Sequence, residues 1–223
     1  MIEHVTEPGW EDVERYLTDV VVNPGPAHQR ALKSATEAGM PAIEVAPNAG
    51  KLLKMLVQLS GARRVLEIGT LAGFSSMWMA QGLPDDGRLV TCEYLQKHAD
   101  VARANLDAAG LGHKVDIRLG PALDTLPTLV SEESFDFVFI DADKENDSNY
   151  LDWAIRLGHP GTVVVIDNVI WDGAILDPRR DVVNAPGIVA VLEKLGQDPR
   201  LDATAIQTVG TKGWDGFAMA RIL

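Results

Sequence analysis

Val65-Leu66-Glu67-Ile68-Gly69-Thr70-Leu71-Ala72-Gly73-Phe74-Ser75 decides how the rest of the chain is read. Val65 to Ile68 is a short apolar run holding one carboxylate, the pattern of a buried strand. Glycines follow, and from Gly73 to Gln81 the pattern is helical. A strand, a glycine turn and a helix open an α/β unit, and such units hold ligands just beyond the carboxyl end of the strand. Glycine lets the backbone turn tightly and come close to a ligand. The Gly-x-x-x-Gly spacing differs from the Gly-x-Gly-x-x-Gly of dinucleotide sites, which favours a ligand without a pyrophosphate. Taken alone, the string also fits a loop whose glycines serve packing only.

Toward the C-terminus, strands and helices alternate. Leu89 to Cys92, Val115 to Leu119, Phe135 to Ile140 and Thr162 to Ile166 read as strands; Gln96 to Ala109 and Asn146 to Leu157 read as helices. Alternation of this kind implies a parallel sheet with helices on both faces. Asp202 to Thr208 and Phe217 to Ile222 are spaced as an antiparallel hairpin at one edge of that sheet. Toward the N-terminus three helices are predicted: Glu11 to Val22, stopped by Asn23-Pro24-Gly25; Pro26 to Ala38; and about Asn48 to Ser60, with Leu52, Leu53, Leu56 and Leu59 on one face. Residues 1–44 thus form a helical extension and 45–223 the core of a single α/β domain.

The composition bounds the function. The chain has 223 residues, 46% of them hydrophobic, enough for a sizeable core. Its formal charge of −12 repels a phosphate backbone, and no basic patch offsets it, so no nucleic-acid partner is expected. No apolar run approaches the ~20 residues that span a bilayer. Met1 to Trp10 lacks the apolar stretch of a secretory signal. One cysteine, Cys92, excludes an internal disulfide framework and suits a reducing cytoplasm.

Two clusters carry chemistry. Glu93 closes the second strand, where a carboxylate accepts both hydroxyl protons of a ribose; with the glycine turn it would hold an adenosine. Cys92, beside it, reads as packing. At the other end, Asp141-Ala142-Asp143-Lys144 follows the fourth strand and Asp167-Asn168 the fifth. Asp141, Asp167 and the Asn168 amide are oxygen donors, which favour a hard cation: Mg²⁺ first, then Ca²⁺ or Mn²⁺. His4, His28, His98, His113 and His159 have no metal-ligand spacing and read as surface or packing residues.

Taken together, these strings resemble the cation-dependent O-methyltransferases, the group of catechol and caffeoyl-coenzyme A O-methyltransferases. The resemblance runs from about Val45 to the end. Its most specific part is Asp-Ala-Asp-Lys with the later Asp167-Asn168-Val169-Ile170-Trp171. It implies a Rossmann-like, mostly parallel seven-stranded sheet whose last strand pair is reversed. It sets S-adenosylmethionine against Glu67, Gly69, Thr70, Ser75 and Asp141, with Glu93 on the ribose. The backbone of Ala122 would meet the adenine, and that of Val45 the methionine part. Asp141, Asp167 and Asn168 would hold the metal, Lys144 would be the general base, and Trp171 would meet the acceptor. Two positions depart from the family pattern: Asp147 and Phe74 stand where tyrosine is common. Neither belongs to the metal set, and Asp147 bears on the shape and polarity of the acceptor pocket.

The implied reaction is methyl transfer to a small phenolic or catechol-like acceptor. A phenol ionises near pH ~10, and a cation on two vicinal oxygens stabilises the phenolate. A Lys144 base must be neutral part of the time, so cation and partial burial are expected to lower its pKa. Trp171, the loop Asp172 to Ala185, the N-terminal helices and Trp214 are expected to shape the pocket, whereas Trp10, Trp78 and Trp153 read as packing. Apolar residues Val13, Leu17, Val20 and Val21, together with the resemblance, point to a homodimer. Alternatives remain: an NAD-type nucleotide-binding protein, opposed by the glycine spacing; a nucleic-acid methyltransferase, opposed by the charge; and a non-catalytic binding protein, opposed by Lys144 and Asn168.

Overall fold

Runs of valine, isoleucine, leucine and phenylalanine form the strands of a computed structural model that describes residues 8–223. Residues 1–7, His4 among them, lie outside the described residues. The strands are β1 (Arg64–Ile68), β2 (Arg88–Glu93), β3 (Val115–Leu119), β4 (Phe137–Ile140), β5 (Val163–Asp167), β6 (Leu201–Gly210) and β7 (Gly213–Ile222). They make one seven-stranded sheet in the order β3-β2-β1-β4-β5-β7-β6. β1 to β5 are mutually parallel. β7 is antiparallel to both of its neighbours, so β6 returns to the common direction. Of the closing pair, then, only β7 runs against the sheet.

Side-chain alternation along the strands divides the core between the two faces. Leu66, Ile68, Val138, Ile140, Val164 and Ile166 pack on one face with Cys92, which is packing as expected. Val65, Leu89, Phe137, Phe139 and Val165 pack on the other with Val57, Met77 and Trp78. Helices cover both faces: α1 (Trp10–Leu17), α2 (Pro26–Glu37), α3 (Pro47–Leu59), α4 (Phe74–Gly82), α5 (Gln96–Ala108), α6 (Ala122–Thr125), α7 (Asp147–Leu157) and α8 (Ala185–Gln197). The first predicted helix changes character within its span, and Thr18–Val22 is a π-helical turn ended by left-handed Asn23. Trp10, read as packing, is 54% exposed on it, and Val13, Leu17, Val20 and Val21 are exposed as well.

The order of the strands positions the site. From β1 the chain winds outward to β2 and β3, then crosses back to β4 on the other side of β1. This switch opens a crevice beyond the ends of β1 and β4. Ile68 is level with Cys92 and with Ile140, and Ile140 with Ile166. One residue further on, Gly69, Glu93, Asp141 and Asp167 therefore stand in a row along one edge.

Two additions close the structure over that edge. The tip of the β6–β7 hairpin is fastened to N-terminal residues. The Thr211 N–H donates to Glu14, and Lys212 Nζ donates to the Ala42 carbonyl and to Glu44 Oε1, each at 3.0 Å. The second is α8, whose span the sequence reading left without an element. Its signal is present: Ile188, Val191 and Leu195 recur at helical spacing and are buried, and Pro186 suits a first turn. A Cβ on Gly187 would run into the Lys144 carbonyl, so α8 lies directly on the backbone of that residue. If α8 completes the core, Ile188→Ala should lower stability by about 2–5 kcal/mol, read by urea denaturation. A loss under about 0.5 kcal/mol, as at surface positions, would show that α8 is peripheral.

Candidate active site

The Gly69–Gly73 turn is held from beneath and from the side by two glutamates. Glu67 is fully buried. Its carboxylate accepts from Ser75 Oγ at 2.5 Å, from Thr91 Oγ1 at 2.7 Å and from Ser76 Oγ. These bonds tie the first turn of α4 to β1 and β2. Burial pushes the Glu67 carboxyl up to about 7, against the pull of its hydroxyl partners and with help from Asp141. Glu93 Oε2 accepts the N–H groups of Thr70 and Leu71 at 3.3 and 2.9 Å, and Oε1 accepts that of Leu95 at 2.9 Å. Leu71 and Gly69 have positive φ, 49° and 100°. At Gly69 a Cβ would also strike the Asp141 carbonyl, so only glycine lets the turn seat against β4.

At the opposite side, Lys144 Nζ lies 3.2 Å from Asp141 Oδ1 and donates to the Asp167 carbonyl at 3.1 Å. Lys144 is 4% exposed. Burial works against its charge, but Asp141, Asp147 and Asp167 outweigh that, and its pKa is raised. The expected lowering is thus reversed in the protein alone, because three carboxylates surround one amine. Asp167 is pushed up to about 7, first by burial and then by Asp141, although Lys144 and the Asn168 N–H oppose this. Asn168 itself is left-handed, φ 60°. Among the described residues no three His, Cys, Asp or Glu side chains are grouped to hold a metal. The expected set differs in kind, being two carboxylates and one amide.

A cleft of about 680 Å³ joins the two sides. Val45, Gly69, Thr70, Ser75, Glu93, Ala122, Asp141, Lys144, Asn168 and Trp171 all line it. Glu67 and Asp167 do not. Glu67 sits under the turn rather than in the cleft, so its support for a ligand is indirect. Asp147 is fully buried with neither oxygen hydrogen-bonded, and it is absent from the cleft wall. Asn146, Tyr150, Trp171 and Asn184 form the cleft wall on the side of Lys144 and Asn168. Tyr150 donates its hydroxyl to Asp143. Phe74 lines the cleft and packs edge-on against Trp78.

Three expectations about the pocket need correction. Trp214 faces away: its ring covers Gly173 and its indole N–H donates to Gln207 at 2.9 Å, because β6–β7 pairing extends through it. α1 and α2 contribute nothing to the wall; Ile43 and Glu44, ahead of α3, do. His98, read as surface or packing, lines the cleft with Nδ1 3.5 Å from Glu93. Tyr94, Leu95 and His98 follow directly on a strand end, which is the signal that would have found them. His28 is packing as read, stacked on Trp78 at 3.8 Å between centroids, and burial holds its pKa down at about 4.

Comparison with known proteins fits this geometry. A family model described as O-methyltransferase matches residues 27–221. A catechol O-methyltransferase of Mycobacterium tuberculosis is 51% identical, over 97% of each chain. The crystal structure of an O-methyltransferase from Bacillus cereus in complex with SAH (S-adenosylhomocysteine) superposes with a TM-score of 0.93 at 45% identity, covering 96% of this chain and 98% of that one. An O-methyltransferase from Streptomyces achromogenes involved in tomaymycin synthesis, solved in complex with SAM (S-adenosylmethionine), gives 0.92 at 43% identity, over 96% of each chain.

Glu67 makes a pH prediction. Its ordinary pKa is 4.5, and in the fold it keeps its proton to about 7. Between those values the folded state binds the extra proton, so Glu67 costs increasing stability as pH rises through the window. Glu67→Gln should therefore gain on the wild type from pH 4.5 to 7, by up to roughly 3 kcal/mol, measured by urea denaturation of the ligand-free protein. Parallel pH curves for the two would mean that Glu67 is ionised throughout.

Proposed function

The chain belongs to the O-methyltransferase family and is an S-adenosylmethionine-dependent enzyme of it; from that premise we propose that its acceptor is a small vicinal diol of the catechol type, oriented and acidified by a divalent cation. The observation that carries this reading is the meeting in one cleft of the glycine turn at β1 with Asp141, Lys144 and Asn168 at the ends of β4 and β5. The catalytic unit spans 45–223, with 1–44 as a helical extension. Its one cysteine, Cys92, is free and buried, which suits a reducing cytoplasm.

S-adenosylmethionine supplies a methyl group on a sulfonium, which an oxygen nucleophile takes in line. The chain's part is to hold sulfur, methyl and oxygen on that line. Glu93 receives the ribose hydroxyls, Gly69 and Thr70 admit the cosubstrate close to the turn, and the backbones of Val45 and Ala122 meet its two ends. Asp141, Asp167 and Asn168 suit Mg²⁺, with Ca²⁺ or Mn²⁺ as substitutes, because all their donors are oxygen. Two crowded carboxylates, one of them held up at about 7, are relieved by a dication. When bound, the cation stabilises the phenolate of the acceptor. Were Asp141 and Asp167 to hold a dication, less negative charge would hold the Lys144 ammonium. Having released that proton to solvent, the neutral Lys144 Nζ would accept the proton of the acceptor hydroxyl.

The test is methyl transfer to catechols with and without EDTA. EDTA and Asp167→Ala should each abolish turnover and leave S-adenosylhomocysteine affinity largely intact; undiminished turnover in EDTA removes the cation. Lys144→Ala should lower kcat by ~10²–10⁴-fold, with partial recovery at high pH. Lys144→Arg should not rescue, since guanidinium keeps its proton; an arginine variant near wild-type turnover ends the general-base role.

The exposed apolar residues of α1 and the π-helical turn suit burial against a second copy near the mouth of the cleft. Light scattering should give twice the 24.1 kDa chain mass; a monomer at micromolar concentration refutes the dimer.

A further inference from the structure

The segment after β5 is held in a backbone conformation that its residues disfavour. Asn168, Trp171 and Asp172 have φ of 60°, 50° and 51°, and Gly173 follows at 72°. A bulky aromatic residue in the left-handed region persists only when its surroundings over-determine it. Two carboxylates do so here. Asp215, on β7, accepts at one oxygen from the N–H groups of Ile170, Trp171 and Gly216, at 3.1, 3.0 and 2.9 Å. Asp181 accepts the Trp171 indole N–H at 2.7 Å. It also accepts from the Val183 and Asn184 N–H groups at 3.1 and 3.0 Å, and from the Asn184 amide at 3.0 Å. Trp171 and Asn184 are both cleft wall. One carboxylate therefore fixes the backbone of Trp171, and the other fixes its ring and a second wall residue together.

We propose that Asp215 and Asp181 are positioning residues that clamp Trp171 as a rigid acceptor wall, and so set which of two vicinal hydroxyls is presented to the methyl group. The proposal rests on the catechol-type acceptor reading above. A flat ring bounded on one side by a fixed indole has one favoured orientation over Asp141 and Asn168; a ring beside a mobile indole has two. Asp181 also serves the N-terminus of α8, where its bonds to Val183 and Asn184 sit. That duty bears on stability and on the Asn184 wall, whereas the bond to Trp171 is read alone by Trp171→Phe.

The experiment uses the whole protein, 3,4-dihydroxybenzoate as the asymmetric acceptor, and the variants Asp181→Ala, Trp171→Phe and the double variant. In D181A the KM for the acceptor should rise roughly tenfold, the loss of one charge-assisted hydrogen bond. The ratio of the two monomethylated products should move toward unity, and S-adenosylhomocysteine affinity should stay within about twofold of wild type. W171F, which keeps a ring but loses the N–H, should shift both readouts in the same direction, and the double variant should go no further than D181A. Additive effects, or a wild-type product ratio in D181A, overturn the proposal. The clamp is also read without turnover. The near-ultraviolet circular dichroism contributed by Trp171, defined as what W171F removes, should be lost in D181A. Its persistence overturns the clamp whether or not catechols are methylated. Its loss in a protein whose wild type methylates no catechol upholds the clamp and removes the acceptor reading instead. Asp215→Ala, which removes the oxygen that holds the Trp171 backbone, should likewise lose the Trp171 signal, and Asp215→Asn, which keeps an acceptor oxygen, should retain it; a retained signal in Asp215→Ala, or a lost one in a folded Asp215→Asn, overturns the part given to Asp215.

Discussion

The close seating of Gly69 on the Asp141 carbonyl is the contact on which the rest of the site depends. It lies at the switch point, where β1 and β4 are neighbours although two other strands separate them in the chain. The sheet ladder continues one residue past the strands: Gly69 N–H donates to the Cys92 carbonyl at 3.1 Å, and Asp141 N–H to that of Ile68 at 2.9 Å. The ends of β2, β1 and β4 are thereby tied in register by backbone bonds alone. Side chains at these positions need no loops to aim them. Such a site inherits the stiffness of the sheet, which suits a reaction that depends on alignment.

The price of that placement is buried charge. Glu67, Asp147, Asp167 and Lys144 all stand where water does not reach freely, and each answers desolvation differently. Glu67 is satisfied by three hydroxyls and serves as a bracket beneath the turn. Lys144 is satisfied by the Asp141 carboxylate and the Asp167 backbone carbonyl. Asp147 has no hydrogen-bond partner and is pushed up to about 7, so its nearest compensation is the field of Lys144. Burial favours the protonated form of these carboxyls, and the retained Lys144 ammonium offsets part of the negative charge that remains at this end of the sheet.

The strands, their parallel order and the row of strand-end residues were legible in the sequence because each rests on local periodicity and on a rule about strand ends. The roles of Glu67 and Asp147 were not legible. Each carboxylate looked available as a letter in a motif, and only burial shows that one is a bracket and the other lies behind the wall. Trp214 was misread for a related reason: the hairpin pairs further than its alternating residues suggest, and the ring turns to Gly173. α8 has regular apolar spacing, but Pro186 and Gly187 stand in its first turn and read as loop residues. Asn184 gave no sign in isolation; its position follows from neighbours distant in sequence.

The fastening of Lys212 to Ala42 and Glu44 has a consequence for how the enzyme is made. Residues 43–45 form one wall of the cleft, yet the lysine that secures this segment lies 170 residues beyond Ala42 along the chain. The glycine turn and β4 are complete well before that. The cleft is therefore half-walled until the β6–β7 hairpin has formed and paired with β5. A chain folded only as far as α8 would hold the base of the site without its closure and would leave the edge of β5 uncovered.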